Sequence, residues 1–144
     1  MAEQNQRAFV QADAAELLSG IIRGRHRRST FFSAELFADP AWDILLDLFL
    51  AELQQRTVAV RELGRSSTVP SNIVNRWLDK LEKDGWLGRK PDPSNPDRRV
   101  AALSAAGRSA MQAWLGEWIE SRATPGGNRV SELLERIALG RREA

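Results

Sequence analysis

The segment LFADPAWDILLDLFLAELQQ constrains the fold most strongly, because it is apolar around nearly the whole circumference of a helix. Asp39 can cap this helix and Pro40 can open it, since the fixed φ of proline suits the first helical position and its missing N–H costs nothing there. Asp43, Asp47 and Gln54 form a narrow polar strip. A helix of this kind must be buried on most sides. We therefore predict that it is the central scaffold of the fold.

The composition limits the chemistry that the chain can perform. With 144 residues, 42% of them hydrophobic, the chain is long enough for one compact domain with appended helices. It contains no cysteine, no tyrosine and one histidine, His26, so it can form neither disulfides nor thiolate metal sites. No Gly-rich phosphate loop follows a strand, and no paired carboxylates mark a cleft. We expect no enzymatic activity, no metal site and no cofactor.

Two features of the sequence argue against export and against a membrane span. Glu3 and Arg7 lie where a secretory signal would be apolar, and Asp43 and Asp47 interrupt the longest apolar region. We therefore expect a cytoplasmic protein.

Positive charge is concentrated in the middle of the chain. The net charge of +2 does not by itself argue for a polyanionic partner. Residues 29–55 contain five acids and no Lys or Arg, whereas residues 61–99 contain nine cations and six acids. The second of these segments is therefore the basic part of the molecule.

An amphipathic helix is predicted near the amino terminus. AFVQADAAELLSGII carries an apolar stripe from Val10 to Ile21, and the helix is expected to end near Arg23 or Gly24. The RGRHRRS stretch that follows is either a solvated linker or helix end, or an arm that contacts DNA.

Two further helices are predicted in the carboxyl-terminal part. Ser104 can cap the first of them, in which Met111, Leu115 and Trp118 recur at helical spacing. After the break at TPGGN, a last helix is expected from about Arg129 to Leu139.

The middle of the chain predicts a pair of helices followed by a β-hairpin. TVAV is read as extended, RELGRSS as a brief helix with Leu63 facing inward, and Pro70 as a break. In SNIVNRWLDKLEKDGWL one arc of the helix is apolar and the opposite arc is polar, and Gly85 ends the helix. The apolar arc consists of Ile73, Val74, Trp77, Leu78 and Leu81. WLGRK and RRVAAL form two short strands around the loop PDPSNP.

This order of elements is that of a winged helix-turn-helix, whose second helix enters a major groove about 12 Å wide while the hairpin contacts the neighbouring backbone or minor groove. Prolines stiffen the wing loop, so less entropy is lost when it docks. Asn can pair with adenine and Arg with guanine, and Arg or Lys at the feet of the wing suits phosphates. The predicted DNA-binding residues are Ser71, Asn72, Asn75, Arg76 and Lys80 of helix 71–84, Arg89, Lys90, Arg98 and Arg99 of wing 89–99, and Arg61 and Arg65.

Each of these assignments has an alternative. The polar face of helix 71–84 could be an ordinary solvated surface, and Asp79 on that face either orients Arg76 or is solvated. Arg61 and Arg65 either contact the DNA backbone or pair with acids such as Glu62. The tryptophans are expected in apolar contacts rather than in base stacking, with Trp42, Trp77 and Trp86 in the core and Trp114 and Trp118 in a helix interface.

Residues 36–120 resemble the MarR-type winged-helix regulators. The resemblance is carried by LEKDGWLGRKPDPSNPDRRVAALSAAGRSAM, which has the Leu-Glu, charged pair, Gly, Arg-rich strand, Asp-Arg wing and Gly-containing helix start of that family. The second wing strand, from Asp97 to Leu103, looks about two residues shorter than the family pattern. Ser104 stands where Thr is usual, and either hydroxyl can cap a helix.

The resemblance implies a homodimer, in which outer helices from both chain ends interlock and each subunit reads half of a pseudo-palindromic operator. The residues permit this independently, because three helix stripes offer more apolar surface than one small winged domain can cover. The alternative is that all three stripes close a single monomeric core. The expected dimer contacts are Leu17, Leu18, Ile21, Met111, Leu115, Trp118, Leu133, Leu134 and Ile137.

The expected fold is mostly α, a winged helix-turn-helix with a small β-hairpin wing and extra N- and C-terminal helices for dimerisation. Its parts are an N-terminal helix and Arg-rich connector at 1–35, the DNA-binding domain at 36–104 and dimerisation helices at 105–144. The expected function is sequence-specific transcriptional regulation through double-stranded DNA. The alternative is a winged-helix adaptor that binds proteins and no DNA. The family often binds small aromatic effectors as well, although nothing in this sequence marks such a pocket.

Overall fold

The computed structural model describes residues 1–65 and 69–123, and the chain is made of two compact units, Met1–Met111 and Gln112–Ala144. The first unit begins with helix α1, Ala2–Phe31, which continues through the arginine-rich stretch. The prediction that this helix ends near Gly24 is therefore wrong. Arginine is a strong helix former and a single glycine costs only about 1 kcal/mol, so nothing local stops the helix there.

The central helix α2, Pro40–Leu53, follows a short 3-10 turn at Ala34–Phe37. The side chain of Asp39 accepts a hydrogen bond from the Trp42 amide at 3.3 Å, and Pro40 occupies the first turn, so the predicted cap is confirmed. Helix α2 contacts α1, the helix at Ser71–Lys83 and the strand at Asn95–Leu103. Its buried residues are Ile44, Leu46, Leu48, Phe49 and Ala51. This helix is the scaffold of the first unit, as its composition predicts.

In the described part of the segment where a brief helix is predicted, residues 61–65, the chain forms a compact turn. Strand β1 is Val58–Ala59, and a 3-10 turn at Val60–Glu62 follows it; no α-helix occupies the described residues 60–65. Gly64 has φ of 80°, and a Cβ there would lie 2.7 Å from Cγ2 of Val74. Only glycine combines this backbone conformation with so close an approach. Leu63 is buried beside it, as predicted.

Helix α3, Ser71–Lys83, and the hairpin complete the winged part of the fold. Strands β2, Leu87–Asp92, and β3, Asn95–Leu103, pair antiparallel, and the sheet order is β1-β3-β2. The predicted loop PDPSNP is reduced to a turn at residues 93–94, so both strands are longer than the sequence indicated. Strand β3 begins at Asn95, two residues before the expected start at Asp97. Proline at position 91 is tolerated because β2 is an edge strand.

The last described helix is α4, Ala105–Ala123, and the second unit begins within it at Gln112. The Gly107 amide donates to the Ser104 hydroxyl at 3.0 Å, which confirms Ser104 as the cap. The break at TPGGN and the helix predicted over 129–139, with Leu133, Leu134 and Ile137, lie outside the described residues. Among the helices that are described, none has the length and hydrophobicity that crossing a bilayer requires.

Candidate nucleic-acid interface

Helix α3 is anchored by three side chains and presents its polar side outward. Val74, Leu78 and Leu81 are buried to exposures of 4%, 0% and 7%. This confirms the inward side of the predicted two-faced helix. The five predicted contact residues of this helix are all exposed, namely Ser71, Asn72, Asn75, Arg76 and Lys80.

Three apolar residues that were expected in the core are exposed instead. Ile73, Trp77 and Trp86 have exposures of 36%, 40% and 39%. The prediction places Ile73 and Trp77 inside because they share the apolar arc of the helical wheel with Val74, Leu78 and Leu81. However, the elements packed against α3 cover only the narrower stripe of positions 74, 78 and 81. The apolar flank formed by Ile73 and Trp77 was therefore missed as surface, and no local sequence signal distinguishes it from core.

The wing tip is fixed by hydrogen bonds from its own side chains. Asp92 accepts from the Ser94 amide at 3.0 Å and from the Ser94 hydroxyl at 2.8 Å. These two bonds stabilise the carboxylate, so they hold the pKa of Asp92 below its usual value. The Asn95 side chain accepts from the Asp97 amide at 3.3 Å. The tip is thus a preformed turn rather than a stiff open loop.

Arg89 ties the wing to helix α3. Its Nη2 lies 2.6 Å from Oδ1 of Asp79, and its Nε lies 2.6 Å from Oε2 of Glu82. The hydrogen bonds to Glu82 and Asp79 raise the pKa of Arg89, and its side chain is only 15% exposed. Arg89 is therefore occupied by two acids rather than free for phosphate, and Asp79 pairs with Arg89 instead of orienting Arg76, although its side chain stays 68% exposed to solvent. The arginine positions the wing, and the two acids hold it.

Arg98 lies between acids without a close hydrogen bond. Its Nη2 is 3.5 Å from Glu62 and its Nε is 3.7 Å from Asp92. The Nε atom is buried and makes no hydrogen bond within the described part of the chain. Arg61 is exposed and forms no ion pair with any described residue, and neither does Arg65. The alternative in which these two arginines pair with Glu62 or Asp79 is not realised.

A cleft of about 510 Å³ separates the start of α3 from the wing. Its polar lining includes Arg61, Ser71, Asn75, Asn95, Arg98 and Arg99. Guanidinium groups together with hydroxyl and amide groups are the side chains that contact the sugar-phosphate backbone of DNA. Asn95 was not among the predicted residues, because its place beside α3 depends on where the hairpin turns. Across residues 1–65 and 69–123, no group of side chains is arranged to hold a metal ion.

Several cations on this side of the molecule remain available to an anionic partner. Arg76, Lys90 and Arg99 are exposed and form no ion pair with a described residue. Lys80 is exposed but pairs with Asp84 at 3.0 Å. Of the predicted contacts, the cleft brings together Arg61, Ser71, Asn75, Arg98 and Arg99.

The predicted dimer contacts fall into two groups. Leu18, Met111 and Leu115 are buried within a single chain, with exposures of 0%, 3% and 5%. Side chains already covered in this way cannot also form a surface for a partner in this conformation. The other described members are half-buried, namely Leu17, Ile21 and Trp118.

A small three-stranded sheet whose hairpin lies beside an exposed helix defines a winged helix-turn-helix domain. Residues 41–100, from the second residue of α2 into β3, match the model of the MarR family. The sequence resemblance to this family is therefore confirmed over these residues.

Solved structures share this fold at low sequence identity. The MepR–DNA complex of S. aureus is 14% identical with a TM-score of 0.58, and the match covers 85% of this chain and 96% of that one. AF1382 from Archaeoglobus fulgidus is 17% identical with a TM-score of 0.50, over 62% of this chain and 93% of that one. At these identities the likeness concerns the fold. No curated protein sequence matches the chain.

Proposed function

We propose that the protein is a sequence-specific, DNA-binding transcriptional regulator that acts in the cytoplasm. The observation that carries this proposal is the joint exposure of the polar side of α3 and the cation-lined cleft beside it. A surface that combines amide and guanidinium groups on a helix with a basic hairpin suits a duplex, since the helix can reach base edges while the hairpin meets phosphates.

Within helix 71–84, Asn72 and Arg76 are proposed to contact base edges in the major groove. Both are exposed on the side opposite the buried stripe, and amide and guanidinium groups can bind adenine and guanine respectively. Ser71 and Asn75 line the cleft, closer to the wing. Lys80 is assigned at most a phosphate contact, because it already pairs with Asp84.

Within wing 89–99, phosphate contacts are assigned to Lys90, Arg98 and Arg99. Arg98 and Arg99 line the cleft and Lys90 is exposed. Arg61 lines the same cleft from the opposite side and Arg65 is exposed. The crystallised MepR–DNA complex, whose fold this chain shares, supports DNA as the partner.

A homodimer on a pseudo-palindromic operator is the proposed assembly. Leu17, Ile21 and Trp118 keep part of their surface, and Phe31 and Leu36 are 72% and 68% exposed, so apolar area remains for a second copy. In this assembly, residues 36–104 form the DNA-binding domain, and residues 1–35 and 105–144 supply the outer helices. A small-molecule effector is proposed as a further partner.

Selection from a random duplex library tests the proposal most directly. A DNA-binding regulator should enrich a two-fold symmetric sequence. The logarithm of its association constant should fall linearly with the logarithm of the salt concentration, with a slope of about −0.9 for each phosphate that the protein neutralises. An adaptor that binds only proteins should enrich no sequence and give no specific band in a gel shift. Light scattering during size exclusion gives the oligomeric state.

A further inference from the structure

We infer that Ile73 reads the 5-methyl group of a thymine in the operator. The inference rests on the proposed function and adds a base contact that the polar residues cannot make. Ile73 is 36% exposed although it lies on the helix that carries Asn72 and Arg76. It follows Asn72 directly and precedes Arg76 by three residues, a spacing at which side chains are neighbours on a helix surface.

The wing does not cover this side of the helix. Arg89 draws the wing towards Asp79 and Glu82. At 100° per residue, Ile73 lies about 120° from Asp79 and about 180° from Glu82 around the helix axis. Ile73 therefore borders the outward polar side on the flank away from the wing, where Trp77 follows one turn later with 40% exposure.

The chemistry of the groove identifies what an apolar side chain there can bind. Among the groups that base pairs present in the major groove, the thymine methyl is the apolar one, and the others are hydrogen-bond donors and acceptors. An isoleucine that entered the groove beside Asn72 would desolvate a donor or acceptor at other bases, which is unfavourable. Against a thymine, the isoleucine side chain and the 5-methyl group are both removed from water, which favours binding.

Replacing thymine by uracil tests this contact, because the exchange deletes only the methyl group. The selected operator is made with uracil at each thymine in turn, and the affinity of the full-length protein is measured for each duplex. We expect one symmetric position per half-site at which uracil weakens binding about fourfold, the factor for burial of one methyl-sized group. In Ile73→Ala the thymine and uracil duplexes should bind equally at that position.

Lys90→Ala is the matched control. It removes an exposed cation of the wing, so it should weaken binding to both duplexes and leave their affinity ratio at about fourfold. Thermal unfolding of Ile73→Ala checks that the variant folds. We expect a modest loss of stability, because the side chain is 36% exposed in the wild-type protein.

The outcomes separate the two proposals. If the wild-type protein binds a selected operator and thymine and uracil are equivalent at every position, the inference about Ile73 is overturned while the proposed function stands. Discrimination that survives in Ile73→Ala also overturns it. If no duplex is selected at all, the proposed function fails and the inference fails with it.

Discussion

The guanidinium of Arg89 lies 2.6 Å from the carboxylate of Asp79, and this pair joins strand β2 of the wing to the carboxyl-terminal half of helix α3. Because Glu82 holds the same guanidinium through its Nε, the arginine is fixed at two points. These two pairs fix the orientation of the wing relative to α3.

Arg89→Ala should lower both stability and DNA affinity. The Arg89 side chain is 15% exposed, but those of Asp79 and Glu82 are 68% and 39% exposed, so the pairs resemble surface salt bridges and we expect a loss of about 1 kcal/mol in the free energy of unfolding. Arg89→Lys keeps the positive charge, but an ammonium group cannot bind both carboxylates as a guanidinium does. Its free energy of unfolding should therefore lie between those of the wild-type protein and Arg89→Ala. Urea unfolding measures both variants. Wild-type stability in Arg89→Ala would show that the tie is dispensable.

Arg76→Ala should weaken operator binding by about 1–3 kcal/mol and relax specificity at one base position. Arg99→Ala should instead weaken binding to all sequences alike and reduce the salt slope by about one phosphate. Titration of each variant against the operator and a scrambled duplex separates base reading from phosphate contact. An unchanged affinity for the operator would remove Arg76 from the interface.

Ser104→Ala should destabilise the fold by about 1–2 kcal/mol, since one hydroxyl makes two bonds. The Ser104 hydroxyl donates to the Gly85 carbonyl at 2.6 Å, just after α3 ends, and accepts from the Gly107 amide at 3.0 Å, where α4 begins. Ser104→Thr retains the hydroxyl and should stay close to wild type. Thermal unfolding of the pair tests this, and equal losses in both variants would contradict the role of the hydroxyl.

Two glycines of α4 should respond in opposite directions to alanine. A Cβ at Gly107 would overlap the carbonyl oxygen of Trp86, so Gly107→Ala must displace backbone and should destabilise the fold. Nothing described lies within 4 Å of a Cβ at Gly116, so Gly116→Ala should gain up to about 1 kcal/mol of helix propensity. Urea unfolding of the two variants checks the contrast. A stable Gly107→Ala would mean that α4 and the Trp86 backbone separate easily.

Asp47→Asn should stabilise the protein at neutral pH. Burial, and next the Asp43 carboxylate, raise the pKa of Asp47 above 3.8. Between that value and the folded-state pKa the folded chain binds more protons than the unfolded one, so stability falls as pH rises through this window. Asparagine avoids the cost, and its advantage in Tm should shrink as pH falls towards about 4.

Asp43→Asn is the control for this pH dependence, because Asp43 is paired with Arg25 at 2.9 Å. Its removal strands that guanidinium but also takes a neighbouring carboxylate away from Asp47, so any gain at neutral pH should be smaller than that of Asp47→Asn. Thermal unfolding between about pH 4 and pH 8 compares the three proteins. An advantage of Asp47→Asn that is constant with pH would exclude ionisation of Asp47 as its cause.

Local signals predicted the elements, whereas tertiary partners decided the surface. The caps at Asp39 and Ser104 and the periodicity of α2 and α3 were readable, because each depends on residues within a few positions. The partner of Arg89 is ten residues away, and its choice depends on how the hairpin packs. The sequence predicts Ile73 and Trp77 in the core because a helical wheel shows which residues share the apolar side. It does not show how much of that side the neighbouring elements cover.

Helix α3 has 13 residues, of which three are buried, and it spends two more on Arg89. Of the remaining eight residues, Ile73 and Trp77 still have more than half of their surface covered, at 36% and 40% exposure, and the other six are exposed polar residues that contribute little to stability. This separation makes the helix an exchangeable cassette: a library randomised at those positions should yield folded proteins with redirected targets, while the scaffold beneath them stays unaltered.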